Sequence, residues 1–180
     1  MYTKLENFRL SKLINNDSTI IELIKNKLLF NENISADLSF DIGSISNEKF
    51  FNSAKINFSV FNGKININQS KFVNKKIGFI EIDNSNFFYK KDQLILNSDI
   101  MLNIKNSEDL FSFLGTPKKS RKLIKNIFFN LDYNLLDNKV FFNTVKIDGL
   151  DADKEILRIL DDLGDMNNNL NNSRRLINSL

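Results

Sequence analysis

The sequence predicts a mainly β protein: a curved antiparallel sheet of hairpin repeats, forming an open β-groove, with a few short flanking helices. Three observations carry this. From residue 33 onward apolar residues recur at every second position, the period of a strand with one buried face. Polar turn signatures, above all Asn62-Gly63, separate the alternating runs. Helical spacing is confined to short stretches.

Taken in order, residues 1–30 read as a helical lead-in. In "NDSTIIELIKNKLLF", Ile20, Ile21, Ile24 and Leu28 recur at helical spacing and Leu23 widens the stripe. Asp17 or Ser18 can cap its start, and Thr19 with Glu22 fits a capping box. The stripe suits a helix lying on a sheet. A membrane-surface helix fits less well, because the polar face is not rich in Lys or Arg.

Residues 33–149 form the sheet. In "NISADLSFDIG", Ile34, Ala36, Leu38, Phe40 and Ile42 share one face. In "AKINFSVFNGKINI", a two-residue turn at Asn62-Gly63 pairs Val60 with Ile65 and Phe58 with Ile67, so turn and pattern agree on register. "IGFIEI" reads as a strand, followed by a hairpin bending near Lys91-Asp92. Leu94, Leu96, Ile100, Leu102 and Ile104 then keep one parity. "SEDLFSFLG" reads as one or two helical turns, with Ser107 as cap, acids in the first turn, and Gly115 and Pro117 ending it. In the last hairpin Leu131, Tyr133 and Leu135 face Val140 and Phe142 across a turn at Asp137-Asn138. Residues 150–180 read as a helical tail, with Ile156, Ile159, Leu160 and Leu163 turned inward.

The hairpins echo one another. "FNGKININQSKF" aligns with "LDNKVFFNTVKI" at Lys64/Lys139, Asn68/Asn143 and Lys71/Lys146, and more loosely with "KKDQLILNSDI". Repetition of this kind suggests a sheet extended by similar units, although an Asn-rich composition also produces such matches.

Composition limits the chemistry. The 180 residues contain no Cys and no His. That removes disulfides, thiol catalysis, thiolate or imidazole metal sites and triads with an imidazole base. Cys content does not fix the compartment. The net charge of +3 creates no overall field that calls for nucleic acid. The acids of "DGLDADKE" do not match a calcium loop, whose sixth position needs Gly; they suit the N-terminus of a helix. No Gly-rich phosphate loop appears, and no cofactor or metal is expected. One charge cluster stands out: Lys118, Lys119, Arg121, Lys122 and Lys125. It reads as a solvated turn, or as a contact for lipid headgroups or an acidic partner. Nucleic acid is less suited, because no aromatic interrupts the run. No apolar run is long enough to span a bilayer.

Three segments carry a family resemblance: "KIGFIEIDNSNFFYKKDQLILNSDIMLNIKN", "DLFSFLGTPKKSRKLIKNIFFNLDYNL" and "FFNTVKIDG". They resemble the C-terminal region of AsmA-like proteins of alphaproteobacterial type, themselves similar to TamB-type envelope proteins. The resemblance runs from about Leu5 to Gly149, and Phe111 to Leu135 is its most distinctive stretch. It implies a non-enzymatic segment of a β-groove that moves or houses lipid between inner and outer membranes, or assists outer-membrane assembly. It also implies a periplasmic setting in a Gram-negative bacterium, anchored to the inner membrane by an upstream segment missing here, so that the chain is the C-terminal part of a longer protein. No catalytic residue carries over.

On this reading the apolar lining consists of Ile34, Leu38, Phe40, Phe58, Ile65, Ile67, Leu102, Ile104, Leu131 and Phe142. The expected partners are phospholipid acyl chains or the rest of the chain's own longer protein, with envelope proteins as further candidates. The alternative is a scaffold module that docks a protein through the same face. An enzyme built on paired carboxylates is disfavoured by the missing His, Cys and Gly-rich loop.

Overall fold

The computed structural model describes residues 1–10, 18–46, 50–154 and 157. Their alternating runs build a single sheet of ten strands: β1 (Tyr2–Leu5), β2 (Ala36–Ile42), β3 (Ser53–Phe61), β4 (Lys64–Asn66), β5 (Ser70–Asn74), β6 (Gly78–Lys90), β7 (Gln93–Ile104), β8 (Asn126–Asn134), β9 (Lys139–Ile147) and β10 (Leu150–Asp151). Spatial order follows chain order, with β4 and β5 sharing the place between β3 and β6. Pairing is antiparallel except between β1 and β2. The mainly β class with a few helices is therefore as the sequence predicts.

The turns set the registers. Asn62 and Gly63 both take positive φ (49° and 69°), the conformation that joins strands through two residues, and Val60 pairs with Ile65 as expected. Lys91 and Asp92 do the same at 49° and 63°, so that Lys90 pairs with Gln93. The predicted pairs Tyr133–Val140 and Leu131–Phe142 also form.

The predicted pairing of Phe58 with Ile67 is not made, because β4 stops at Asn66. When pairing resumes in β5, Ala54 faces Phe72 and the register has moved by one residue. A second slip lies directly across, in β6, between Asp83 and Asn86. Side chains replace the missing ladder there. The Ile67 N–H donates to Ser85 Oγ (2.7 Å), and Ser85 N–H and Oγ–H both donate to Asn68 Oδ1 (2.6 and 2.7 Å). Gln69 N–H donates to Asp83 Oδ1 (3.1 Å). Buried backbone donors need partners, and Asn, Ser and Asp supply them at short reach. Asn68 is thus a half-buried structural acceptor. Ser85→Ala and Asn68→Ala are each expected to cost about 1–3 kcal/mol, and the pair far less than their sum, since both remove one network. Urea unfolding of the two single variants and the double variant measures this, and simple additivity would contradict it.

β9 slips as well, between Thr144 opposite Asn130 and Phe142 opposite Leu131. This gives the repeated Asn a physical meaning. Asn68 lies at the first break, Asn143 is the extra residue of the β9 bulge, and Asn97 faces Asn86 at the edge of the β6 bulge. Each hairpin echo places Asn where the ladder is interrupted and a side-chain amide can bridge it. Bulges bend a strand and increase its twist, which is how a long sheet curves. They also switch parity. Ile80 and Ile82 share the apolar face with Phe87 and Tyr89, and Val140 and Phe142 share it with Val145 and Ile147.

The polar face is a network of amides and carboxylates. Asn97 donates to Asp132 (2.7 Å), Asn130 and Asn84 both donate to Asp99 (2.7 Å each), and Asn143 donates to Asn130 (3.1 Å).

Two helices cover opposite ends of the apolar face. The first, α1 (Thr19–Lys25), begins at Ser18, whose Oγ accepts from the Ile21 N–H (3.4 Å). Thr19 is already inside the helix, so the Thr19–Glu22 capping box is not used. Lys27 at φ 59° ends the run, and Leu28 falls in a 3-10 turn and is exposed instead of completing the stripe. Tyr89 holds α1 down by donating its hydroxyl to the Lys25 carbonyl (2.8 Å). Ile21 and Ile24 pack on Phe58, Val60, Ile65, Phe87, Leu94 and Leu135. The second helix, α2 (Ser107–Leu114), is capped by Asn106, whose side chain accepts from the Asp109 N–H (3.1 Å); Ser107 is the first helical residue, not the cap. Gly115 at φ 72° closes α2 as predicted. Leu110 and Phe111 fill a core with Ile77, Ile104, Ile124, Ile127 and Val145.

Two boundaries differ from the sequence reading. The lead-in opens with a strand, β1, which extends the sheet because its backbone pairs with β2. The segment after Ile147 turns at Asp148 and Gly149 into β10, which pairs with Ile147 and Lys146, so the acids there begin with a turn and a strand pairing before any helix. The inward-facing residues of the expected tail helix lie outside the described residues.

Candidate functional site

Where α1 meets the sheet it leaves a cavity of about 250 Å³. Ile20, Ile21 and Ile24 form its roof, and Phe40, Ile56, Phe58, Phe72, Ile82 and Phe87 are among the side chains of its floor. The cavity lies beside the paired slips of the β4–β5 segment and β6, which Ile67, Phe72, Ile82 and Phe87 flank. Two polar side chains reach the lining, and both are engaged. Ser70 Oγ donates to the Asn57 carbonyl (3.2 Å) and accepts from the Asn57 N–H (3.0 Å). Tyr133 donates its hydroxyl to Asn138 Oδ1 (2.8 Å), and burial pushes its phenol above the ordinary range, so it stays neutral. The space therefore presents no spare hydroxyl donor. Apolar cavities of roughly 150 Å³ in other proteins stay dry and admit small apolar guests. This one is larger, yet under the ~300–1,000 Å³ of clefts that enclose drug-sized ligands. It suits one hydrocarbon chain end better than a polar metabolite.

The ten predicted lining residues share the apolar face but not one site. Phe40, Phe58 and Ile67 line the cavity. Ile34, Leu38 and Ile65 belong to the core under α1, and Leu102, Ile104 and Phe142 to the core under α2. Leu131 is buried on the same face. The lining missed by alternation includes Phe72, Ile82 and Phe87, whose faces are set by slips of one residue. The available signal was the off-parity pair Ser70 and Phe72 following Ile65 and Ile67.

The basic cluster divides. Arg121 is structural: it donates to Glu108 (2.7 Å), Ser112 (3.1 Å) and the Thr116 carbonyl (2.9 Å), tying the following segment to α2. Lys118, Lys119 and Lys122 are exposed, and Lys125 joins a different set of residues at the sheet end. Among the described residues no helix is long and apolar enough to cross a membrane. No protein-family model, curated protein or solved structure matches the chain.

Proposed function

We propose that this chain is a non-enzymatic, lipid-holding segment of an AsmA-like envelope protein, working in the periplasm of a Gram-negative bacterium on the path between inner and outer membranes or in outer-membrane assembly. The carrying observation is the cavity under α1, mainly apolar, with its two polar side chains already bonded. Such a site holds a guest by burial alone, at about 0.8 kcal/mol per methylene, so an acyl segment of a few methylenes gains roughly 3 kcal/mol. Contact of this strength and without direction permits sliding, and sliding is what a conduit requires.

The test is to purify the chain, extract it and examine the extract for phospholipid by mass spectrometry, then titrate a fluorescent fatty acid. Leu96→Trp adds bulk to the lining and is expected to weaken fatty-acid binding by about tenfold while the fold persists, in keeping with the loss of two methylene contacts. Lipid-free protein that also ignores the fluorescent acid would overturn the reading.

A protein-docking module is the second reading. It is favoured by β9, whose outer edge from Val140 to Thr144 has no neighbouring strand among the described residues, with Phe141 on it 55% exposed. Free edges of this kind recruit strands from other chains.

A further inference from the structure

The end of the sheet beside α2 carries a cleft of about 470 Å³ on the polar face. Its floor is one cross-strand row, Val73, Phe79, Asn103 and Asn126, each paired with the next. Its rim holds Lys75, Lys105 and Lys125, which come from three separate connections yet line the same cleft. Backbone hydrogen bonds hold these connections together: Lys105 N–H donates to the Ile77 carbonyl, and Ile104 N–H to the Lys125 carbonyl, both at 2.7 Å. Gly78, also in the lining, lets the first two approach.

The lining includes no carboxylate. The acids nearby each have partners, and Glu81 also accepts from the floor residue Asn103 (3.4 Å). Glu81 pairs with Lys71 (2.9 Å), Asp148 accepts the N–H groups of Lys125 and Asn126 (2.8 Å each), and Glu108 holds Arg121. Three lysines thus share one rim above a floor that includes the amides of Asn103 and Asn126, and none of the three is ion-paired among the described residues. Like charges brought together by a fixed backbone repel, and an anion removes that repulsion.

We propose that this cleft is an anion site for a phosphate group. Phosphate offers several acceptor oxygens and up to two charges, which matches three lysine donors better than a single carboxylate does. The phosphate can belong to the headgroups of a lipid surface or to a soluble phosphate. The site stands apart from the acyl-chain reading, because it lies on the opposite face and needs no hydrocarbon.

The experiment compares three full-length proteins: the unaltered chain, Lys75→Gln/Lys105→Gln/Lys125→Gln, and the charge-matched Lys118→Gln/Lys119→Gln/Lys122→Gln. Each is titrated with inorganic phosphate, followed by NMR of the lysine amines, and with phosphatidylcholine vesicles doped with phosphatidic acid, followed by sedimentation. All the altered side chains are exposed, so thermal melts should agree. The cleft variant is expected to lose at least about tenfold in affinity and the control no more than about twofold, since each lysine near an anionic surface contributes roughly fivefold. Binding of inorganic phosphate without vesicle binding supports the site and assigns it to soluble phosphate. Binding of both supports it and assigns it to headgroups as well. Equal losses in the two variants, or no shift of any rim amine with phosphate, would overturn the proposal.

Discussion

Gly78→Ala is expected to destabilise the protein by about 2–6 kcal/mol, combining backbone strain of about 1–3 with overpacking of about 1–3. Gly78 opens β6 at φ 149°, a conformation that L side chains rarely adopt. A Cβ built there would collide with the Asn103 carbonyl oxygen and come within 3.0 Å of the Lys105 nitrogen, both of them backbone atoms. Neither can swing aside as a flexible side chain would. β6 and β7 must therefore separate at this end, and the loss should appear as a lower urea midpoint. The damage should reach the cleft first, because Gly78 lies between the connections bearing Lys75 and Lys105. Hydrogen exchange at Lys105 N–H, bonded to Ile77, is expected to rise more than exchange at Leu135 N–H, bonded to Leu94 at the far end. A variant as stable as the parent would refute the account.

Phe111→Ala is expected to cost about 3–5 kcal/mol, the usual range for emptying a phenylalanine site in a packed core. Phe111 is fully buried among Ile104, Ile124, Ile127 and Val145, and its carbonyl also accepts from the Thr116 N–H (2.9 Å) beyond the helix end. Phe113, two residues on, is 49% exposed and meets Phe50 edge-on at 5.0 Å. Phe113→Ala should cost less than about 1.5 kcal/mol, mostly from that ring pair. The comparison holds helix, residue type and change constant, leaving burial as the variable. Similar costs in equilibrium unfolding would mean that α2 does not seat as described.

Alternation found the strands, and in β2, β3, β7 and β8 it also found the buried face, because those strands keep one parity from end to end. It does not carry past the slips in the β4–β5 segment, β6 and β9, where a single slipped residue reverses every side chain beyond it. Helix starts were legible to within one residue. Ser18 and Asn106 act as caps because their backbones are extended and their side chains reach a free N–H, whereas Thr19 and Ser107 already lie inside their helices. The basic run looked like one patch in the chain. A salt bridge took Arg121 out of it, and the sheet end took Lys125.

The sequence by itself determined the class of this protein and much of its register. Period-two patterning and Asn-Gly chemistry act between near neighbours, so they can be read along the chain. It also removed every chemistry that needs a thiol or an imidazole. What only the tertiary structure decided depends on residues that meet from far apart. The cavity under α1 requires Ile24 and Tyr133 to line one space, and the cleft requires Lys75, Lys105 and Lys125 to line one rim. Those meetings follow from how paired slips bend the sheet and from where two short helices land on it, neither of which is encoded at any single position.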